Sequence, residues 1–182
     1  EIELIIDPKQ AFGTGHHATT QLLIEWLQQA VRPDDRVLDV GTGSGILAMV
    51  ALRLGATEAL GVDFDAVAVD CAREYAQVNG FDTRLTLAVG QAQAPQAHDA
   101  FDPTLVLANL DRQTLLTSAD SLCAYAVRGA RLFLSGLLAE QRSEIEAAYA
   151  TRGVYMKAVR ERDGWLALEA TAMETCEGGL CS

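Results

Sequence analysis

Residues 37–45 read Val-Leu-Asp-Val-Gly-Thr-Gly-Ser-Gly, and no other stretch so narrows what this chain can fold into. Four residues of strand character (37–40) run straight into Gly41, Gly43 and Gly45, spaced by two, and an apolar run over 46–54 follows. Strand, glycine turn and helix in that order open a nucleotide-binding βαβ unit, because glycine lets bare peptide groups approach a bound molecule with no Cβ in the way. Asp63 lies 22 positions after Gly41 at the end of the next predicted strand, close to where a ribose-binding carboxylate is expected.

The same alternation continues downstream. Strands are predicted over 58–63, 85–89, 104–108 and 130–134, and helices over 66–79, 113–126 and 140–150; Asn79-Gly80 is a helix stop. Residues 104–108 run as an apolar block after Thr104, which suits a strand buried on both faces. Segments 154–160 and 165–171, separated by Asp163-Gly164, read as a terminal antiparallel hairpin. Ahead of all this, residues 2–6 are short and β-branched and read as a strand closed by Asp7-Pro8. An amphipathic helix begins near Thr20, with Thr19 or Thr20 expected to cap it. The expected architecture is therefore α/β: an open, seven-stranded, mostly parallel sheet ending in an antiparallel hairpin, with helices on both faces. In such sheets ligands bind at the carboxyl ends of the strands, where the glycine turn, Asp63 and Asn109-Leu110-Asp111 converge.

Composition narrows the function classes. A chain of 182 residues with 49% hydrophobic content is one domain of ordinary size, expected over 1–175 with a flexible tail at 176–182. A formal net charge of -11 disfavours tight nonspecific binding to nucleic-acid backbone. No apolar run approaches the roughly 18 residues of a membrane span, so a cytoplasmic protein with no membrane partner is expected. Starting at Glu1 rather than methionine, the sequence is consistent with a piece of a longer protein. Four scattered cysteines do not form a disulfide framework: Cys71 and Cys123 fit buried helical positions, while Cys176 and Cys181 bracket a tail. His16 and His17 are adjacent and diverge, and His98 lies in a polar loop, so no metal site is expected. Trp26 and Trp165 read as packing residues.

The spacing of the turn also discriminates between cofactors. A dinucleotide fingerprint would put its third glycine at position 46, which is Ile46. Spacing of two throughout, with Asp39 two residues before Gly41, is instead the pattern associated with S-adenosylmethionine enzymes, which have no pyrophosphate to cradle.

Three segments carry a specific resemblance. Residues 7–20, with Asp7-Pro8, Ala11-Phe12-Gly13-Thr14-Gly15 and His17-Ala18-Thr19-Thr20, residues 40–47, and residues 134–141, Leu-Ser-Gly-Leu-Leu-Ala-Glu-Gln, resemble the bacterial ribosomal protein L-eleven methyltransferase family of class I S-adenosylmethionine-dependent methyltransferases. The similarity covers nearly the whole chain and corresponds to that family's catalytic domain, which full-length members precede with a small recognition domain and a linker. The resemblance implies that Thr20, Gly41, Asp63 and Asn109 contact S-adenosyl-L-methionine, and that amino groups of a protein are methylated. Asp39, Gly43 and Gly45 belong to the same candidate cofactor set, and Phe12, Gly13, Thr14 and Gly15, within the 7–20 loop, are expected to cover the methionine end. Asn109, Leu110 and Asp111 are the candidate catalytic residues: the Asn109 side-chain oxygen and the Leu110 carbonyl would accept hydrogen bonds from the acceptor amine and aim its lone pair. Asp111 fits a helix cap as well as a group that draws in a cationic amine, and Arg112 fits a solvated helix charge. The chain departs from the family pattern at His16 and Ala18, where the family has threonine and proline, and at Leu110-Asp111-Arg112, where it has Ile-Leu-Ala. Alternatives to a protein acceptor are a small amine or another nucleophile, and a noncatalytic module that keeps the cofactor fold.

Overall fold

Strands that are apolar on both faces must be sandwiched between helices, and the computed structural model, which describes residues 3–6, 17–91 and 101–173, has this arrangement. Strands β1 (Arg36–Val40), β2 (Glu58–Asp63), β3 (Leu85–Val89), β4 (Leu105–Asn109) and β5 (Arg131–Leu138) are parallel. Strand β7 (Trp165–Ala172) joins β5 antiparallel, and β6 (Val154–Arg162) joins β7, giving the order β3-β2-β1-β4-β5-β7-β6. The strand order, which runs from β3 to β1, continues on the other side of β1 with β4, and such a switch point opens a crevice above the carboxyl ends of the two strands.

Alternate residues of each strand feed two separate cores. Val37, Leu105, Leu107 and Phe133 pack with α1 (Ala18–Ala30), α2 (Ile46–Arg53) and α3 (Ala66–Val78) on one face. Leu38, Val40, Val106, Ala108, Leu132 and Leu134 pack with α4 (Arg112–Thr117), α5 (Ala119–Val127) and α6 (Arg142–Ala150) on the other. This parity reaches the strand ends: Asp39 continues the Val37 face toward α2, and Asn109 continues the Leu105 and Leu107 face toward α1. At the opposite edge, Arg131 bonds both oxygens of buried Asp35 at 2.6 and 2.8 Å and the Ala30 carbonyl at 2.7 Å, tying β5 to the α1–β1 connection. Among the described residues no helix is long and apolar enough to cross a membrane.

The terminal hairpin turns as expected, with φ of 52° at Asp163 and 79° at Gly164, the two positive values a two-residue connection of this hand needs. Trp26 packs edge-to-face on Phe133 at 5.2 Å, and Cys71 and Cys123 are buried.

Several expectations are corrected. Residues 3–6 form no strand; Asn79 instead holds Ile5 by donating to its carbonyl and accepting from its amide, both at 2.8 Å. The β-branched run signals extended backbone, but pairing depends on a neighbour it does not find. The α1 cap is His17, whose Nδ1 accepts from the Thr19 amide at 3.4 Å, while Thr19 and Thr20 lie buried inside the first turn. The helix expected over 113–126 is two, α4 and α5, broken at Ser118, whose φ and ψ of -95° and 1° leave the helical range. Strand β5 runs on to Leu138, because Gly136, which reads locally as a strand end, forms a bulge. Helix α6 is preceded by a 3-10 turn, Ala139–Gln141. The residues 7–16 of the expected covering loop, including Phe12, Gly13, Thr14, Gly15 and His16, lie outside the described residues, as do His98 and the tail with Cys176 and Cys181.

Candidate functional site

The turn after β1 is built by hydrogen bonds that reach across to β2. Gly41, Gly43 and Gly45 all have positive φ, at 71°, 53° and 76°. At Gly41 a Cβ would also run into the Leu110 Cδ2 methyl. The amides of Gly41 and Thr42 both donate to the Val62 carbonyl, at 2.8 and 3.1 Å, and that of Gly45 to the Thr42 carbonyl at 2.8 Å. Gly43 donates to Asp63 Oδ2 at 2.8 Å, and Asp63 Oδ1 accepts from the Asp65 amide at 3.0 Å. Four amides of the turn are thus engaged inside the protein. A pyrophosphate needs such amides as donors, so the donor set fits a nucleoside ligand held by its hydroxyls: each Asp63 oxygen keeps acceptor capacity, and the residue is 8% exposed. Phe64, the next residue, is 79% exposed beside it, a large apolar face that local sequence patterning did not single out.

Asp39 sits beneath the turn at 1% exposure. Its Oδ2 accepts from Thr42 Oγ1 at 2.7 Å and from the Ala48 amide in the first turn of α2 at 3.3 Å, while Oδ1 is buried with no partner. Burial pushes this carboxyl up to about 6, against the Thr42 and Ala48 hydrogen bonds, which pull it down. Because the folded-state value lies above the ordinary 3.8, the folded chain binds this proton more tightly than the unfolded chain. The group's contribution to stability is therefore present at low pH and lost as pH rises from about 4 through about 6. Asp39→Asn cannot titrate, so between pH 4 and pH 7 its stability relative to the unchanged chain should improve by roughly 2 kcal/mol. Urea unfolding across that range checks this, and a difference that does not vary with pH would refute it.

The other strand ends bring distant residues together. Asn109, the last residue of β4, donates from Nδ2 to Oγ1 of buried Thr20 in α1 at 3.2 Å. Leu110 follows with its side chain against Gly41, its amide donating to the Ser135 carbonyl at 3.0 Å and its own carbonyl against Gly136. Thr20 thus meets Asn109, and Gly41 meets Leu110, at the carboxyl ends of β4 and β1, with Gly43 bonded to Asp63 at the end of β2.

Asp111 lies just beyond, as the cap of α4: Oδ1 accepts from the Thr114 amide at 3.1 Å and Oδ2 from Thr114 Oγ1 at 2.6 Å. The Thr114 hydroxyl holds the carboxyl below its usual value. Arg112 forms an ion pair with Glu144 at 2.7 Å. Both charges by which this segment departs from the family pattern therefore have partners at the α4 and α6 surface. His17, besides capping α1, meets Trp165 edge-to-face at 4.8 Å, joining the hairpin to the helix that carries Thr20. Gly136 was visible in sequence only as part of a shared motif; its approach to Leu110 is a tertiary contact.

Comparison with known proteins fits this geometry. A ribosomal protein L11 methyltransferase (PrmA) family model matches residues 1–173. The ribosomal protein L11 methyltransferase of Ralstonia pickettii is 46% identical over 167 residues, 92% of this chain and 53% of that protein. That of Symbiobacterium thermophilum is 39% identical over 170 residues, 93% of this chain and 54% of that protein, so the chain spans about half the length of the curated relatives it matches. Among solved structures, a ribosomal protein L11 methylase from Lactobacillus delbrueckii subsp. bulgaricus superposes with a TM-score of 0.80 at 29% identity, covering 93% of this chain and 84% of that one. An O-methyltransferase from neocarzinostatin biosynthesis, solved with S-adenosylmethionine, shares the fold at 17% identity and a TM-score of 0.63, over 76% of this chain and 49% of that one. With the family model covering almost every residue and the fold that of a Rossmann-like methyltransferase, the chain belongs to the ribosomal protein L11 methyltransferase family.

Proposed function

We propose that this chain is the catalytic part of an S-adenosyl-L-methionine-dependent methyltransferase that methylates amino groups of a ribosomal protein in the cytoplasm. The observation that carries this reading is the placement of the Asp63-anchored glycine turn beside the Thr20–Asn109 pair across one crevice. S-adenosylmethionine, when bound, supplies a methyl group already activated on a sulfonium, so the protein's task is to align a neutral nucleophile. Asp63 accepts from the ribose hydroxyls, Phe64 offers an apolar face to the base, and Gly41 and Gly43 keep the turn free of side chains. Thr20 would meet the methionine end. Asp39 supports the turn from below, and Gly45 opens α2 directly after it.

On the acceptor side, Thr20 takes one N–H of Asn109 and so fixes the amide plane, leaving Asn109 Oδ1 to accept from the incoming amine. The Leu110 carbonyl is the second acceptor. Two acceptors converging on one nitrogen orient its lone pair away from both. Asp111 contributes through the α4 cap, which fixes the corner where the strand carrying Asn109 becomes helix.

Cofactor binding is tested by calorimetry with S-adenosylhomocysteine. Asp63→Ala should weaken it by about 10- to 100-fold, the worth of one or two hydrogen bonds to a charged acceptor; unchanged affinity would remove Asp63 from the site. Transfer is tested by incubating the chain with labelled S-adenosylmethionine and ribosomal protein L11, other ribosomal proteins or small amines, with mass spectrometry of the acceptors. Label on none of them would sink the catalytic reading even where the cofactor binds.

A further inference from the structure

Leu110 meets two glycines, Gly41 of the turn after β1 and Gly136 of β5. On the β1 side its Cδ2 methyl takes the space a Gly41 side chain would need. On the β5 side a Cβ at Gly136 would lie 2.7 Å from the Leu110 carbonyl carbon and closer still to its oxygen. Gly136 has φ of 89° and is the extra residue of the bulge between Ser135 and Leu137. The bulge alone does not demand glycine. The same sheet has a second register shift between Met156 and Ala158, and the residue there is Lys157. Two things distinguish position 136 from position 157: its φ of 89°, where Lys157 has no positive value, and the backbone it faces. Leu110 donates its amide to the Ser135 carbonyl at 3.0 Å, and Asn109 pairs in register with Ser135, so both candidate acceptors of the amine rest on residues 135 and 136.

We propose that Gly136 is a positioning residue for methyl transfer: by having no side chain it sets the Leu110 carbonyl in the acceptor pocket, and Leu110, through its contact over Gly41, holds that pocket in register with the cofactor turn. The inference rests on the methyltransferase reading above. A methyl group at position 136 would push the carbonyl aside and fill the space next to it, displacing the amine from the line of transfer. The hydrogen bonds that hold Asp63 and Thr20 run to Gly43 and to Asn109 and not to Gly136, so cofactor affinity and turnover should separate.

Gly136→Ala tests this, with Gly136→Asn as a second variant, since asparagine tolerates positive φ yet keeps the colliding Cβ. For each, three quantities are read: S-adenosylhomocysteine affinity by calorimetry, kcat and KM for ribosomal protein L11, and hydrogen exchange at the Leu110 amide. The expected result is a fall in kcat of at least tenfold, cofactor-product affinity within about threefold of the unchanged chain, and faster exchange at Leu110. Unchanged kcat and exchange would overturn the proposal. So would an affinity loss parallel to the kcat loss, or two variants that simply unfold, which would make Gly136 a folding residue. If the unchanged chain binds the cofactor product but does not methylate ribosomal protein L11, the acceptor assignment fails; exchange at Leu110 needs no acceptor and still decides whether Gly136 holds that carbonyl.

Discussion

Asn109→Ala is expected to lower methyl-transfer turnover by about 10²- to 10³-fold, the range seen when one preorganised polar partner is removed from a reacting centre. The substitution removes the side-chain acceptor for the amine and at the same time frees Thr20 Oγ1 from its 3.2 Å partner. It does not touch the Asp63 contacts to Gly43 and Asp65 that organise the turn. Cofactor-product affinity should therefore change by only a few-fold while kcat collapses. Single-turnover kinetics alongside calorimetry separates the two. Undiminished transfer by the variant would remove Asn109 from the reaction, whereas parallel losses of affinity and rate would make it a cofactor residue only. A Thr20→Val comparison sharpens the reading: it keeps Asn109 but loses the bond that fixes the amide, so a smaller turnover loss in the same direction is expected.

Arg131→Met should destabilise the fold by about 4 kcal/mol, far from the crevice. Asp35 is 3% exposed and accepts from the Arg32 amide at 2.7 Å, from Thr104 Oγ1 at 2.8 Å and from Arg131 through both oxygens. Burial pushes its carboxyl up, but the Arg131, Arg32 and Thr104 hydrogen bonds together hold it below its usual value. Removing the guanidinium leaves a buried charge with two neutral donors, and it also frees the Ala30 carbonyl. The sign of the pH dependence follows. In the unchanged chain a depressed carboxyl adds stability above its unfolded value of 3.8 that is lost as pH falls through the folded one. In the variant that support is gone, so the stability gap between the two chains should narrow as pH falls below about 4. Chemical denaturation at neutral and acid pH measures both effects. A loss below about 1 kcal/mol at neutral pH would show that the pair is no more than a surface ion pair.

Neither result depends on the same kind of information. In sequence Arg131 reads only as a strand residue and nothing local marks Asp35, since their pairing spans 96 positions. The Gly41 turn, by contrast, was legible because positive φ is written locally, residue by residue, in glycine. Helix α3 was legible through its 3.6-residue apolar period and its Asn79-Gly80 stop, and the hairpin through Asp163-Gly164. Where local signals misled, a tertiary partner had the deciding role. Ser135-Gly136 reads as a strand end, yet β7 pairs through it to Leu138. Thr19 and Thr20 have capping side chains, yet His17 caps and the threonines turn inward, Thr20 to meet Asn109.

By itself the sequence determined the α/β class, the turn at residues 41–45, the carboxylate at Asp63 and the terminal hairpin, because periodicity and special backbone conformations are short-range properties. Only the tertiary structure decided that Asp39 lies beneath the turn, that Thr20 meets Asn109 across 89 positions, and that Leu110 is held between Gly41 and Gly136. Those contacts follow from the order β3-β2-β1-β4-β5, which sets the ends of β1, β4 and β5 side by side. Strand order is a choice among long-range pairings, made by which apolar faces pack together, and no local pattern encodes it.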